Sequence, residues 1–413
     1  MSVSNAAAGT SAALPPPSRL TPALGLAVEH GIDDFYQGAV PALVPLLVLL
    51  RGYDLIQAGG VVLAATLLSS VAQPAFGVLA DRRPLPWLRP AGLLLAAGGI
   101  SAVGLLGTYG AIWVAAMISG LGVAAYHPEA ARAVHASGGG DRAMGWFTFG
   151  GLAGYAAGPP VTAAVLGTLG LAASPLLALP AVAAAAAGLI RLRFRSVPSL
   201  TAAAAQQQGS EDWPRFALLT VVVVLRSVAY FGVVTLVVVH LTSRRGLGLG
   251  AATAVLTTFT ATGAIGTLLG GYLTRWADRV TVIAASYLLA VPALAGLAFA
   301  AQPTVLLGCA GLLGLALHVP VALHTTLGQQ YLPRHLGTAA GVTLGLAVSA
   351  GGLAAPVLGA GAERLGTTSL LAIVAALPLL AATTAAALAQ RQPPETADAS
   401  ADHDEWAELD PSP

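Results

Sequence analysis

The chain reads as an all-α membrane protein, twelve transmembrane helices in two pseudo-symmetric six-helix bundles. Two observations predict this. The first is composition: of 413 residues, 56% are hydrophobic and only 9% are charged. Soluble domains carry about 25% charged residues, so lipid and not water must cover much of this surface. The second is an internal repeat. Tyr36 and Gly38 recur as Tyr230 and Gly232, Arg51-Gly52 as Arg245-Gly246, Gly77-x-Leu79 as Gly271-x-Leu273, and Gly120-Leu121 as Gly314-Leu315. Gly151, Gly158 and Gly167 recur as Gly345, Gly352 and Gly361. Every pair keeps one separation, 230 minus 36 or 194 positions, so two copies of one helical block lie end to end.

A helix needs about 20 apolar residues to cross the hydrocarbon layer. Residues 1–21 form an Ala/Ser/Pro-rich tail expected to be disordered, with Arg19 as its one basic residue and no cleavable leader pattern. The N-terminal bundle, 22–193, then offers spans at about 22–49, 54–80, 87–107, 109–135, 142–168 and 171–193. Residues 194–213, with Arg195, Pro198 and three glutamines, read as a cytoplasmic linker. The C-terminal bundle, 214–391, offers spans at about 214–242, 248–274, 279–301, 303–331, 336–362 and 367–390. Internal prolines such as Pro74, Pro159, Pro320 and Pro356 are tolerable there, because neighbouring helices re-satisfy the freed backbone groups. Residues 392–413 form an acidic tail whose composition predicts disorder.

Arginine placement orients the chain. With both termini inside, the inner segments hold Arg19, Arg82, Arg83, Arg89, Arg132, Arg142, Arg191, Arg193, Arg195, Arg215, Arg275, Arg279, Arg334 and Arg391. The outer segments hold only Arg51, Arg244, Arg245 and Arg364. The excess of basic residues marks the cytoplasmic side, so both termini are expected there, in a bacterial cytoplasmic membrane. The net charge is +1; without the seven acids of the tail it is 19 minus 11, or +8. That surplus borders the bilayer and signals topology, not nucleic-acid binding. The single Cys309 excludes disulfides and thiolate metal sites. There is no phosphate-cradling Gly-x-x-x-x-Gly-Lys and no convincing Ser-His-acid set. Enzymatic chemistry, ATP drive and a cofactor are not expected.

Ionisable side chains inside membrane helices cost at least about 2.5–3.5 kcal/mol each, so each one is a functional hypothesis. The first helix holds Glu29, His30, Asp33 and Asp34. Helical spacing puts Glu29, Asp33 and Gln37 on one face and His30 and Asp34 on the next. Asp33 lies about 16 Å in from residue 22, near mid-membrane, and Arg226 of the seventh helix about 18 Å from residue 214. The repeat maps Arg226 onto Ile32, which puts it at the depth of the helix 1 acids in the other half. A central site follows, in which Asp33 or Asp34 exchanges a proton and Arg226 binds an anionic group; the alternative is a permanent Arg226–carboxylate lock. His127 and Glu129 in the fourth helix read as a proton relay or the inner cavity wall, or equally as a conformational latch to helix 11 or helix 2, and Glu129 can pair with Arg132 three residues on. His30, Tyr36, Gln37, Tyr230 and His318 are candidate cavity residues, against ordinary packing roles. His318 and His324 are six apart, off a common face, so no metal site is expected.

The second helix ends in Gly77-Val78-Leu79-Ala80-Asp81-Arg82-Arg83, which resembles the signature between helices 2 and 3 of the major facilitator superfamily. Gly77 permits close contact and Asp81 can be held by a helix N-terminus or an arginine. The second copy departs, with Arg275 at the aspartate position and Asp278-Arg279 a turn later, so the family's gating contact is expected in the first half. Within that superfamily the chain is similar, from about 26 to 390, to the fosmidomycin-resistance efflux branch. The resemblance rests on Asp33-Asp34-x-Tyr36-Gln37, Gln73-Pro74-x-x-Gly77, Pro84-Leu85-Pro86-Trp87, Tyr126-His127-Pro128-Glu129-Ala130-Ala131-Arg132 and Leu332-Pro333-Arg334. Asp33 stands where that branch often has asparagine. The Gly150-Gly151-x-x-Gly154-x-x-x-Gly158-Pro159 pattern is smooth enough for close packing, and its family counterpart accompanies antiporters.

The expectation is therefore a monomeric secondary transporter whose partners are protons, a small-molecule substrate and the lipid bilayer. It would export drug-like or anionic compounds by rocking one half against the other. An uptake symporter for a small organic acid, or a membrane-embedded sensor, are the alternatives.

Overall fold

The computed structural model describes residues 20–53, 55–83, 85–194 and 210–389. The N-terminal tail up to Arg19, most of the expected linker and the acidic tail lie outside these. The described residues form twelve helical units, all-α as the composition requires. They are α1 (Leu20–Arg51), α2 (Leu55–Arg82), α3 (Leu88–Ala102), α4 (Tyr109–Ala136), α5 (Gly140–Leu169), α6 (Leu179–Phe194), α7 (Trp213–Ser243), α8 (Leu249–Leu273), α9 (Arg279–Phe299) and α10 (Pro303–Tyr331). Then come α11 (Leu336–Leu365), with a π-helical stretch at Gly341–Leu346, and α12, in two pieces, Thr367–Val374 and Ala376–Ala389. Ten helical segments are long and apolar enough to cross a bilayer. The α1 helix is 32 residues long but carries Glu29, Asp33 and Asp34.

Three elements differ from the sequence expectation, each for a local reason. The third helix stops at Ala102 rather than near 107. The Gly104 amide donates to Ser174 Oγ (3.1 Å) while that hydroxyl donates to the Ser101 carbonyl (2.6 Å), and a Cβ at Gly104 would run into the Leu171 carbonyl. The sixth span opens as a 3₁₀ helix, Leu171–Ala178, containing Pro175. The last helix is interrupted at Ala375; Pro378 three residues on has a ring that excludes the carbonyl of Val374.

Two hydrophobic cores hold the bundle. One runs from Ala23 to Ala181 and draws in Ala322 and Ala340 from the other half; the other runs from Phe216 to Leu388. Large apolar side chains such as Val28, Leu49, Leu63, Val239, Leu353 and Val357 face outward, as a lipid-exposed surface demands. Lipid gives helices no hydrophobic reason to associate, so small residues and backbone proximity must do it. Between α1 and α5 that is visible residue by residue: Gly31 lies against Gly150 and Gly154, Gly38 against Tyr155, and Gly158 against Phe35 and Gly38. The glycine face of the sequence is thus a packing face here.

The two cores meet most tightly at one end, where α2 finishes, α5 and α11 begin and α8 finishes. This is the end at which the arginine-rich segments lie. Gly77 packs on Gly337 and Gln73 on Gly341 and Gly345, and Gln329 Nε2 donates to the Ala131 carbonyl (3.4 Å).

Candidate functional site

A central cavity of about 420 Å³ lies between the cores. It is lined from α1 by His30, Asp34, Gln37 and Pro41, from α4 by His127, and from α5 by Tyr155. From the other half come Arg226, Tyr230 and Phe231 of α7, His318 of α10 and Thr343 of the π-helical stretch. Seven residues expected from sequence are therefore in one place: His30, Asp34, Gln37, His127, Arg226, Tyr230 and His318.

On the first-half wall, His30, Asp34 and His127 form one cluster. Asp34 Oδ2 lies 3.3 Å from His30 Nε2, and Asp34 Oδ1 lies 3.3 Å from His127 Nε2. The two Nε2 atoms are 3.1 Å apart. His30 stacks on Phe147, ring centroids 4.0 Å apart. Sequence reading placed no metal-type set here, because its members come from two helices; yet the three donor groups lie within 4.8 Å of one another.

The opposite wall is cationic. Arg226 Nε donates to the Leu317 carbonyl (2.9 Å), and its guanidinium carbon sits 5.2 Å from the centre of the Tyr230 ring. Among the described residues Arg226 forms no salt bridge, so the expected alternative of a fixed Arg226–carboxylate lock is not what holds the halves together. His318 presents its ring edge to Tyr230 (5.3 Å) and binds the Gly314 carbonyl through Nδ1 (2.9 Å). His324 turns away from the cavity to Tyr287 Oη (3.0 Å).

Three expected site residues are elsewhere. Tyr36 is fully buried inside the first core and donates to the Leu177 carbonyl (2.8 Å); it is not on the cavity wall. Asp33 is fully buried behind that wall, with no hydrogen bond to either carboxyl oxygen and His127 Nδ1 3.4 Å from Oδ2. Glu129 is held by Arg132 through two contacts of 2.8 and 3.2 Å, the pairing on one helix face that their spacing allows. Glu29 goes to Arg191 (3.2 Å). Neutral polar lining residues, including Gln73, Thr148 and Thr343, were missed. Inside a membrane helix they cost too little to stand out in a sequence.

Below the cavity the halves are tied by two acids. Asp81 accepts the backbone N–H groups of Gly337 (2.6 Å) and Thr338 (2.8 Å) and the Thr338 hydroxyl (2.6 Å). That is the first turn of α11, where free N–H groups and the helix dipole favour an anion. Arg82 beside it is exposed. In the second half the corresponding position is Arg275, and a different acid serves. Asp141 in the first turn of α5 receives Arg279 Nε (2.8 and 3.0 Å) and the Thr326 hydroxyl (2.5 Å). The signal for Asp141 was present, an acid opening a helix with an arginine displaced by one turn in the second copy. Its partner could not be read from sequence, because the contact crosses between the copies.

The comparisons agree with this fold. The family model of the Major Facilitator Superfamily matches residues 32–356. The chain is 28% identical over 369 residues to the "Uncharacterized MFS-type transporter YfnC" of Bacillus subtilis (strain 168), covering 86% of this chain and 90% of the relative. It is 27% identical over 376 residues to the "Fosmidomycin resistance protein" of Escherichia coli (strain K12), covering 86% and 89%. Two solved structures share its fold. The E. coli fucose:proton symporter FucP aligns at TM-score 0.70 and 17% identity, over 90% of this chain and 99% of that one. A bacterial homologue of the iron transporter ferroportin, in its outward-facing state, aligns at 0.72 and 18%, over 89% and 99%. With the family model spanning most of the chain and the two-core fold in place, this protein belongs to the major facilitator superfamily and is a multi-pass membrane protein of transmembrane transport.

Proposed function

We propose that this chain exports small anionic or drug-like compounds across a bacterial cytoplasmic membrane in exchange for protons. The two bundles, 22–193 and 214–391, are the bodies that rock, working as a monomer. The observation that carries this reading is Arg226, a cation on the cavity wall with no acid paired to it among the described residues. A guanidinium in so apolar a site calls for an anion, and its planar fork suits carboxylate-like or phosphate-like groups. The wall opposite carries Asp34 and His127, with Asp33 behind them, as the groups that take up and release the proton. Substrate anion and proton site then face each other across one cavity, so occupancy of one bears on the other. Glu129 serves with Arg132 near the arginine-rich end. Similarity to the fosmidomycin resistance protein favours export.

The arginine-rich end is the cytoplasmic one by the rule that basic loops stay inside. Both termini are then cytoplasmic, and the arrangement described is closed toward the cytoplasm.

The test is purified protein in liposomes with a pH-sensitive dye inside and a panel of anionic compounds outside. Exchange is expected: a compound drives protons against its own direction, and Arg226→Ala and Asp34→Asn each abolish this. Protons moving with the compound would overturn export in favour of symport. Undiminished transport of every anion by Arg226→Ala would remove the cation from the substrate site.

A further inference from the structure

The two imidazoles of the cavity wall already have one nitrogen each committed. His30 Nδ1 lies 2.7 Å from the Phe147 carbonyl, and His127 Nδ1 lies 2.8 Å from the Val123 carbonyl. A carbonyl oxygen only accepts, so both Nδ1 atoms carry hydrogen. In neutral rings both Nε2 atoms are then bare lone pairs. Yet they face each other at 3.1 Å, and Asp34 brings one carboxylate oxygen to within 3.3 Å of each. Two ring nitrogens and two oxygens converge with no donor among them. Both histidines are buried, and low local dielectric makes such acceptor crowding costly.

We infer that His30 and His127 bind a single proton between their Nε2 atoms, held against the Asp34 carboxylate, and that this pair is the unit which loads and discharges the transported proton. The inference rests on the proton-coupled reading above and deepens it. It moves the site from Asp34 and His127 to an imidazole pair held against Asp34, and so adds His30 to the machinery. Loading breaks one O–H bond of a hydronium ion in the cavity and forms one N–H bond at the lone pair of either Nε2, leaving a water molecule. The other Nε2 accepts that hydrogen, and the pair then carries one positive charge beside one negative one. Discharge breaks the same N–H bond and returns the proton to cavity water.

The charged or titratable groups around the pair come from several elements. Asp33 and Asp34 face it from α1. Tyr126 lies beside it on α4, ring centroids 6.1 Å from His30. Tyr155 of α5 and Arg226 of α7 line the same cavity, and Glu29 is turned to Arg191. The neighbouring α2 residues, Gln73 and Thr66, do not titrate. A divalent metal ion is the other cation that could relieve these acceptors. The 3.1 Å between the two Nε2 atoms is a hydrogen-bond separation, which one shared proton satisfies without any further ligand.

The experiment is nitrogen NMR of the full chain, labelled with ¹⁵N-histidine, in lipid nanodiscs across a pH series, with metal analysis of the same sample. Signals are assigned with His30→Gln and His127→Gln. One proton taken up jointly by both rings is expected, with the two Nε2 signals moving together. In either variant the remaining ring should titrate alone. Two rings that titrate independently in the wild type would overturn the inference. So would a divalent ion bound at one per chain whose chelation changes the spectra. If neither variant folds, the presence or absence among the wild-type histidine signals of a pair that moves together still decides. None of this needs transport, so a shared proton seen in a protein that moves no protons in liposomes would sink the coupling reading and leave the shared site standing.

Discussion

Under the proposed function Arg226 is the residue that selects anionic solutes. Arg226→Ala should lower the initial rate for anionic compounds at least about tenfold, since one charge-assisted hydrogen bond is worth about 1.5–3 kcal/mol. Arg226→Lys should keep part of it, supplying charge without the planar fork. Initial rates in liposomes at matched protein levels check both. Tyr36→Phe makes the opposite forecast. Its hydroxyl serves the Leu177 carbonyl and not the cavity, so transport should stay within about twofold while stability falls by about 1 kcal/mol, read as a lower melting temperature. Much of the site was legible because ionisable groups in apolar helices stand out: His30, Asp34, His127 and Arg226 were all marked by cost alone. Tyr36 was misplaced because the repeat conveys depth and not direction. Its counterpart Tyr230 lies on the cavity wall, while Tyr36 points into its own core. For Asp33 and Asp34, adjacent positions leave a helix about 100° apart, and only packing shows which one meets the cavity.

Among the elements, α1 and α5 approach each other through facing glycines. A methyl group on Gly154 would meet the Gly31 backbone, whereas Gly167, further along the same helix, has nothing within 4 Å. Gly154→Ala should cost about 1–3 kcal/mol of overpacking, and Gly167→Ala should be neutral or slightly stabilising. Thermal melting of the two variants in one detergent makes the comparison, and equal losses would mean that the α1–α5 approach is looser than described. The existence and order of the helices were readable from apolar length. Their internal breaks were not, because these depend on partners distant in sequence. The end of α3 is set by Ser174, 70 positions from Gly104. The π-helical stretch of α11 lies where Gln73 of α2 presses on Gly341 and Gly345. Such stretches often mark functional sites, and Thr343 of this one lines the cavity.

For the molecule as a whole, the two acid ties set how firmly one end stays shut. Each is a charge-assisted cluster, and losing about 1.5–3 kcal/mol shifts an open-to-closed ratio by roughly ten- to a hundredfold. Asp81→Asn and Asp141→Asn should each loosen the arginine-rich end, and the double variant should open it further. Spin labels replacing Arg83 and Arg334, in a Cys309→Ser chain, measure this. The distance distribution should broaden toward longer separations in the single variants and shift in the double one; an unchanged distribution in the double variant would show that the ties do not control the closed form. The two ties are not copies of each other, despite the repeat. Asp81 grips main-chain N–H groups that any sequence would supply, while Asp141 depends on the side chains of Arg279 and Thr326. The halves have therefore ceased to be interchangeable. A chain made by joining two copies of residues 22–193 would keep the acid of α2 twice over but would carry Leu85 where Arg279 now meets Asp141. The closed form seen here thus leans on a contact that only the diverged second half supplies.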